Sequence, residues 1–294
     1  MKLIDYIVNV FVMVDDFCKI YYPPRKLRPR GPLPKLADSE AITMEIVGEY
    51  LGFDTDEGIY NYFDRHWGFL FPNLPDRSNF VRQCANLWKV KHRFFEYLTR
   101  SKDKYLQVVD SVPVEVCKFI RARFTKQFKQ TAAYGKWFGQ TFFGYRFHFK
   151  ITDYGMIRNF ILAPANEHDI NYAESLLADD TGGWVLADKG YRGKDLHEKF
   201  WKQRRMYFHT SVRRIDKKTS PLPKDTIRTL SGKRRLIETV AGQLEQRFNI
   251  KRTFARDLWH LINRITRKIL SHTVCVLLNI KMNIDPLKLR LLVS

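Results

Sequence analysis

Apolar positions recur at helical spacing through the first hundred residues and at strand spacing after them. From Asp38 to Leu51, Ile42, Met44, Ile46, Val47, Tyr50 and Leu51 follow the 3.6-residue period behind an Asp38-Ser39 start, and Gly52 is the stop. Gly58 to Trp67 makes a shorter aromatic segment. Ser78 is placed to cap one long helix whose stripe runs through Phe80, Val81, Cys84, Leu87, Val90, Phe94 and Leu98. The N-terminal apolar run, broken by Asp5 and closed by Asp15 and Asp16, predicts an amphipathic helix rather than a secretion signal. After Lys104 the period shortens. Tyr105 to Asp110 predicts a strand ending on an acid, Gly144 to Ile151 alternates apolar with Arg146, His148 and Lys150, and a Thr152–Gly155 turn joins it to a strand at Ile157–Ala163. A helix at Asp169–Leu177, a strand at Trp184–Asp188, a helix at Asp195–Gln203 and a strand at Met206–Val212 follow. A basic loop from Arg213 to Gly232 then leads to helices at Lys233–Asn249 and Leu258–Met282. This order implies a mixed sheet flanked by helices behind an all-helical N-terminal domain, with domains at 1–100 and 101–294.

Charge changes that picture by naming a partner. Through Arg100 the chain has 14 basic and 13 acidic residues, against 37 and 18 in the remainder, so almost all of the net +20 lies in the second part. Such asymmetry points to a polyanion, most simply the backbone of a nucleic acid. Within the helical part, Arg77, Asn79, Arg82 and Gln83 sit at the start of a helix after a turn, a helix-turn-helix arrangement that reaches DNA, with dimerisation or packing as the other use of these helices. Tyr21 to Pro34, rich in proline and basic residues, is expected as an extended arm. No apolar stretch approaches the ~20 residues needed to span a bilayer. Cys18, Cys84, Cys117 and Cys275 are scattered, as expected of reduced thiols in a cytoplasm.

Two predicted strands end on aspartate, Asp110 and Asp188, and ligands of open α/β sheets gather at such carboxyl ends. Paired carboxylates suit a hard divalent cation. On the Lys233–Asn249 helix, Glu238 and Glu245 lie about 10 Å apart along the axis, too far to serve one metal pair, and Glu238 is preferred because Arg234 and Arg235 beside it suit phosphate. Basic residues close in sequence to these acids, Lys189, Arg192, Arg204, Arg205, Arg213, Arg214, Lys217, Lys218, Lys224 and Arg228, suit a DNA track.

Asp110, the segment Asp188-Lys-Gly-Tyr-Arg-Gly193 and Arg234-x-x-x-Glu238 resemble the DDE signature of bacterial insertion-sequence transposases with an RNase H-like core. Asp38-Ser-Glu-Ala-Ile-Thr, Gly48-Glu-Tyr-Leu51, Ala165-Asn-Glu-His-Asp169 and the run from Ile237 to Ile250 are similar to insertion-sequence group nine-eighty-two. Ser231 and Glu245 stand where a related signature has Tyr and Lys. The resemblance implies an RNase H-like mixed five-stranded sheet, with a basic insertion near 117–141. It implies that Asp110, Asp188 and Glu238 are the catalytic and metal-holding acids, with two Mg²⁺ per site and Mn²⁺ as a substitute. The implied partners are double-stranded DNA, both terminal inverted repeats and target, with a homodimer or larger assembly on DNA in the bacterial cytoplasm at the nucleoid. A silent DNA-binding descendant and an RNase H-like nuclease without strand transfer are the competing functions. Arg121, Arg123, Lys126, Lys129 and Lys136 interleave with Phe124, Phe128, Tyr134 and Trp137 in the insertion, a mixture suited to phosphates and exposed bases.

Overall fold

The computed structural model describes residues 1–23, 27, 32–100, 105–126, 128–210 and 224–293, and the chain divides into two compact units. The first comprises Met1–Leu98 with Leu244–Ser294, the second Thr99–Gln243. The C-terminal helix, which the sequence pattern grouped with the sheet, therefore belongs with the N-terminal helices.

The first unit contains α1 (Leu3–Tyr21), α2 (Asp38–Tyr50), α3 (Asp56–Trp67), α4 (Arg77–Asn86), α5 (Trp88–Leu98) and the C-terminal helix Leu258–Lys281. From Ala41 to Tyr50 every side of α2 is buried, which is the condition of a central helix rather than a surface one. The single helix expected from Ser78 to Leu98 is two. Asp76, not Ser78, is the N-cap, its carboxylate accepting from the Asn79 N–H at 3.0 Å. The break falls at Leu87, where the Cys84 carbonyl accepts from both the Leu87 N–H and the buried Lys91 ammonium. The C-terminal helix starts at Asp257, which caps the His260 N–H at 2.8 Å.

A buried ion network ties that helix in. Glu45, Glu49, Asp54 and Asp56 face Lys91, Arg264, Arg267 and Lys268, four acids against four cations. Arg267 and Lys268 are wholly buried, so these cations of the C-terminal helix belong to the core.

The second unit is built on six strands: β1 (Leu106–Cys117), β2 (Ala133–Trp137), β3 (Gln140–Thr152), β4 (Ile157–Pro164), β5 (Trp184–Ala187) and β6 (Tyr207–Thr210). β3 pairs antiparallel with β1 along one edge and with β2 and β4 end to end along the other. β1, β5 and β6 run parallel. The order β4-β3-β1-β5-β6 is consistent with an RNase H-like domain. The sixth strand corrects the five expected: it is β2, formed within the basic insertion, whose first part is a 3₁₀ turn at Phe119–Phe124. β1 also runs seven residues past Asp110, because Ser111–Cys117 remain paired with β3 after β5 has ended.

One face of this sheet packs through Val109, Val185 and Ala187 on Leu176 of α6 (Ala173–Leu176) and Leu177 just after it, and on Phe200 of α7 (Lys194–Arg204). Each such burial stabilises by about 1.5–3 kcal/mol. The segment Asp169–Leu177, expected as one helix, is a 3₁₀ turn followed by α6. α8 (Lys224–Gln246) begins nine residues before the Lys233 start expected, so the end of the presumed Arg213–Gly232 loop is helical.

Candidate active site

The parallel register places two acids side by side. β1 and β5 pair as Leu106–Trp184 through Val109–Ala187, and the next residue on each chain is an aspartate, Asp110 and Asp188. Neighbouring strands lie about 4.8 Å apart, and residues in parallel register leave the same side of the pleat. β1 holds Asp110 opposite Phe149 of β3, between Val108 and Val112, all three of them buried. Burial there pushes the Asp110 carboxyl up to about 7, against the pull of the Ser111 N–H, which donates to it at 2.8 Å. The negative charges of Asp188 and Asp169 push further upward. Asp188, half exposed, accepts from the Arg234 guanidinium of α8 at 2.7 Å.

A further acid nearby, on the Ser111 side of β1, is Asp169, which the sequence pattern registered only as the start of a helix and as part of a family motif. Its carboxylate accepts from the Ser111 hydroxyl at 3.3 Å and lies 3.5 Å from Arg146. Burial raises its carboxyl, and Arg146 and Ser111 oppose the rise. Gly190 makes this approach possible, since a Cβ there would stand 2.5 Å from the Asp169 carboxylate. Gly190→Ala must displace either Asp169 or the Asp188–Tyr191 turn. It is expected to lower Tm by a few degrees, about 1 kcal/mol for a domain of this size, and DNA cleavage by more than that loss of folded protein accounts for. Thermal unfolding and specific activity measured on the same preparation check this.

His148 is fully buried beneath these acids, its Nδ1 3.2 Å from the Tyr191 hydroxyl. Burial, with Arg146 nearby, pushes its imidazole down to about 4, so it is neutral at pH 7.

The remaining sequence candidates are distributed as follows. Glu238 is exposed on α8, one turn beyond Arg234 and so on the same side of the helix. Among the described residues no group of three or more His, Cys, Asp or Glu side chains stands in metal-holding geometry, so Glu238 does not close with Asp110 and Asp188 on one point. The two strand acids fit a hard divalent cation by donor type, since they present carboxylate oxygens from the ends of neighbouring parallel strands. Lys189, Arg192 and Arg235 are exposed, while Arg204 is tied to the Leu177 and Ala178 carbonyls. Arg213, Arg214, Lys217 and Lys218 lie outside the described residues. In the helical unit, Arg77 pairs with Glu57 and Gln83 is buried against the Leu36 carbonyl and Asp38. Asn79 and Arg82 line a cleft of about 650 Å³ between Pro32–Lys35 and Pro72–Pro75. Glu245 pairs with Lys251 at 2.8 Å.

A mixed sheet with aspartates at the ends of its paired parallel strands, in a unit of 28 basic and 15 acidic residues, defines a class of nucleic-acid-processing domains. The family described as "Transposase DDE domain" matches residues 100–258, and the chain belongs to that family. No curated protein and no solved structure matches it significantly. Membership makes DNA the partner, and DDE transposases normally use divalent metals. Among the described residues no helix is long and apolar enough to cross a membrane.

Proposed function

We propose that the chain is a metal-dependent DNA transposase of insertion-sequence group nine-eighty-two, which hydrolyses phosphodiester bonds at its element's ends and transfers the 3′ hydroxyl to target DNA. The observation that carries this is the adjacency of Asp110 and Asp188 in a basic domain of the DDE family. Asp110 and Asp188 would hold divalent cations, Mg²⁺ or Mn²⁺, with Glu238 as the third acid. A bound cation supplies activation of the attacking hydroxyl and stabilisation of the leaving oxygen. Arg234 neutralises Asp188 in the metal-free protein and is placed to take a DNA phosphate once a cation does so instead. Lys189, Arg192 and Arg235, exposed around these acids, with Arg213, Arg214, Lys217 and Lys218, position the DNA backbone. Arg77, Asn79 and Arg82 are proposed contacts to the DNA ends in the helical unit. Because two ends must be joined in one reaction, the working form is a homodimer or larger on DNA, in the cytoplasm at the nucleoid.

The test is incubation of the full chain with labelled DNA carrying its flanking inverted repeats, with Mg²⁺ or with chelator, beside Asp188→Ala. Metal-dependent nicking and joining, lost in the variant while DNA binding is kept, is the expected result. Cleavage without joining would instead mark a nuclease, and binding without cleavage a silent DNA-binding descendant.

A further inference from the structure

Within the second unit, β2 and the start of β3 form a hairpin with the two-residue turn Phe138-Gly139. Both residues have positive φ, 46° and 79°. Such turns favour Asn or Gly at the first position, and a bulky aromatic there costs on the order of 1 kcal/mol or more. Phe138 is nonetheless 91% exposed, with the neighbouring Trp137 ring edge-on at 5.1 Å, so little packing offsets the strain. Behind it, Tyr134 and Lys136 share the outward side of β2, and Phe119 packs edge-on to Tyr134 at 6.0 Å while remaining 53% exposed. The stretch of chain that carries these rings is basic: between Glu115 and Asp153 there are eight basic and no acidic residues, of which Arg146 and Lys150 are paired with Asp169 and Asp180.

The hairpin is also fastened to the acids. Arg146 donates to the Lys136 carbonyl at 3.0 Å and lies 3.5 Å from Asp169. A Cβ on Gly135 would stand 2.6 Å from the Ala165 carbonyl, so β2 is seated directly on the end of β4.

We infer that this hairpin is a stacking platform for unpaired nucleobases of the DNA strand being processed, with Phe138, Tyr134 and Phe119 as the ring surfaces and Lys136 with its basic neighbours holding the backbone. Exposed aromatic faces amid cations suit single-stranded nucleic acid, whose bases offer flat π surfaces that a closed duplex hides. A second copy of this chain would bring the same excess of basic residues to the patch, which argues against self-association there. The inference rests on the proposed DNA substrate but not on cleavage.

The test is fluorescence anisotropy of the full chain in chelator, with a labelled blunt duplex and with the same duplex carrying a single-stranded oligo(dT) overhang. Phe138→Ala and Tyr134→Ala are each expected to weaken overhang binding by about 10-fold, with blunt-duplex affinity within about twofold of the parent. Phe138→Trp should restore overhang binding and Phe138→Leu should not. Equal loss on both DNAs, no loss on either, or rescue by Leu overturns the proposal, as does a change in sedimentation coefficient with unchanged overhang preference. Because no cleavage is read, failure of the transposase proposal shows separately, as binding that persists while Mg²⁺ produces no nicking.

Discussion

Asp110→Asn should abolish DNA cleavage, by about a thousandfold or more, and at the same time make the metal-free protein more stable. The two effects have one cause. The Asp110 carboxyl is held against Phe149, Val108 and Val112, near Asp188 and Asp169, and its folded pKa is pushed up to about 7. An acid raised above its unfolded value of about 4 contributes stability that is present below pH 4 and lost as pH rises through 7. The neutral amide of Asn escapes that loss. The variant and the parent should therefore be equally stable near pH 4, and the difference should grow to on the order of 2–4 kcal/mol above pH 7. Urea unfolding in chelator across this range checks it. Added Mg²⁺ should stabilise the parent and not the variant, since a cation that binds only the folded state raises its stability by mass action. A variant no more stable than the parent at pH 8 would show that the carboxylate is solvated rather than buried.

The second large effect lies in the helical unit. Arg267 is wholly buried, donates to Glu49, Asp56 and the Asp54 carbonyl, and lies 3.5 Å from Glu45. Removing one partner of a buried ion set leaves the others uncompensated, so Arg267→Met is expected to cost about 3–5 kcal/mol. Arg267→Lys should cost nearly as much, because one ammonium cannot replace a fork spread over several acceptors. Burial alone would raise the Asp56 carboxyl, yet Arg267 and Arg264 hold it well below the usual carboxylate range. Its contribution is therefore present above pH 4 and lost as pH falls toward its folded value. In Arg267→Met the deserted acids take up protons, so the deficit should be greatest at neutral pH and shrink on acidification. Chemical unfolding followed at pH 7 and pH 4.5 measures both parts.

These two sites also divide what was legible in the chain from what was not. Periodicity located nearly every element, since an amphipathic face repeats along the sequence. It missed the break at Leu87, where the Lys91 side chain and a backbone carbonyl decide the geometry, and it missed β2, which is held by pairing with β3 rather than by its own pattern. Nor does a list of residues show, beside the cations Arg264, Arg267 and Lys268, the carboxylates that meet them from α2 and α3.

The sequence by itself determined that Asp110 and Asp188 stand at the ends of apolar runs, that the second part of the chain is strongly basic, and that the first part is helical. These are properties of local pattern and composition. Only the tertiary structure decided that the two aspartates are adjacent, that Asp169 joins them from behind Gly190, that Arg234 rather than Glu238 meets Asp188, and that the C-terminal helix belongs with the first unit. Each of these depends on strand register or on contacts between residues far apart in the chain, and register and long-range contact leave no mark on the spacing of residues along it.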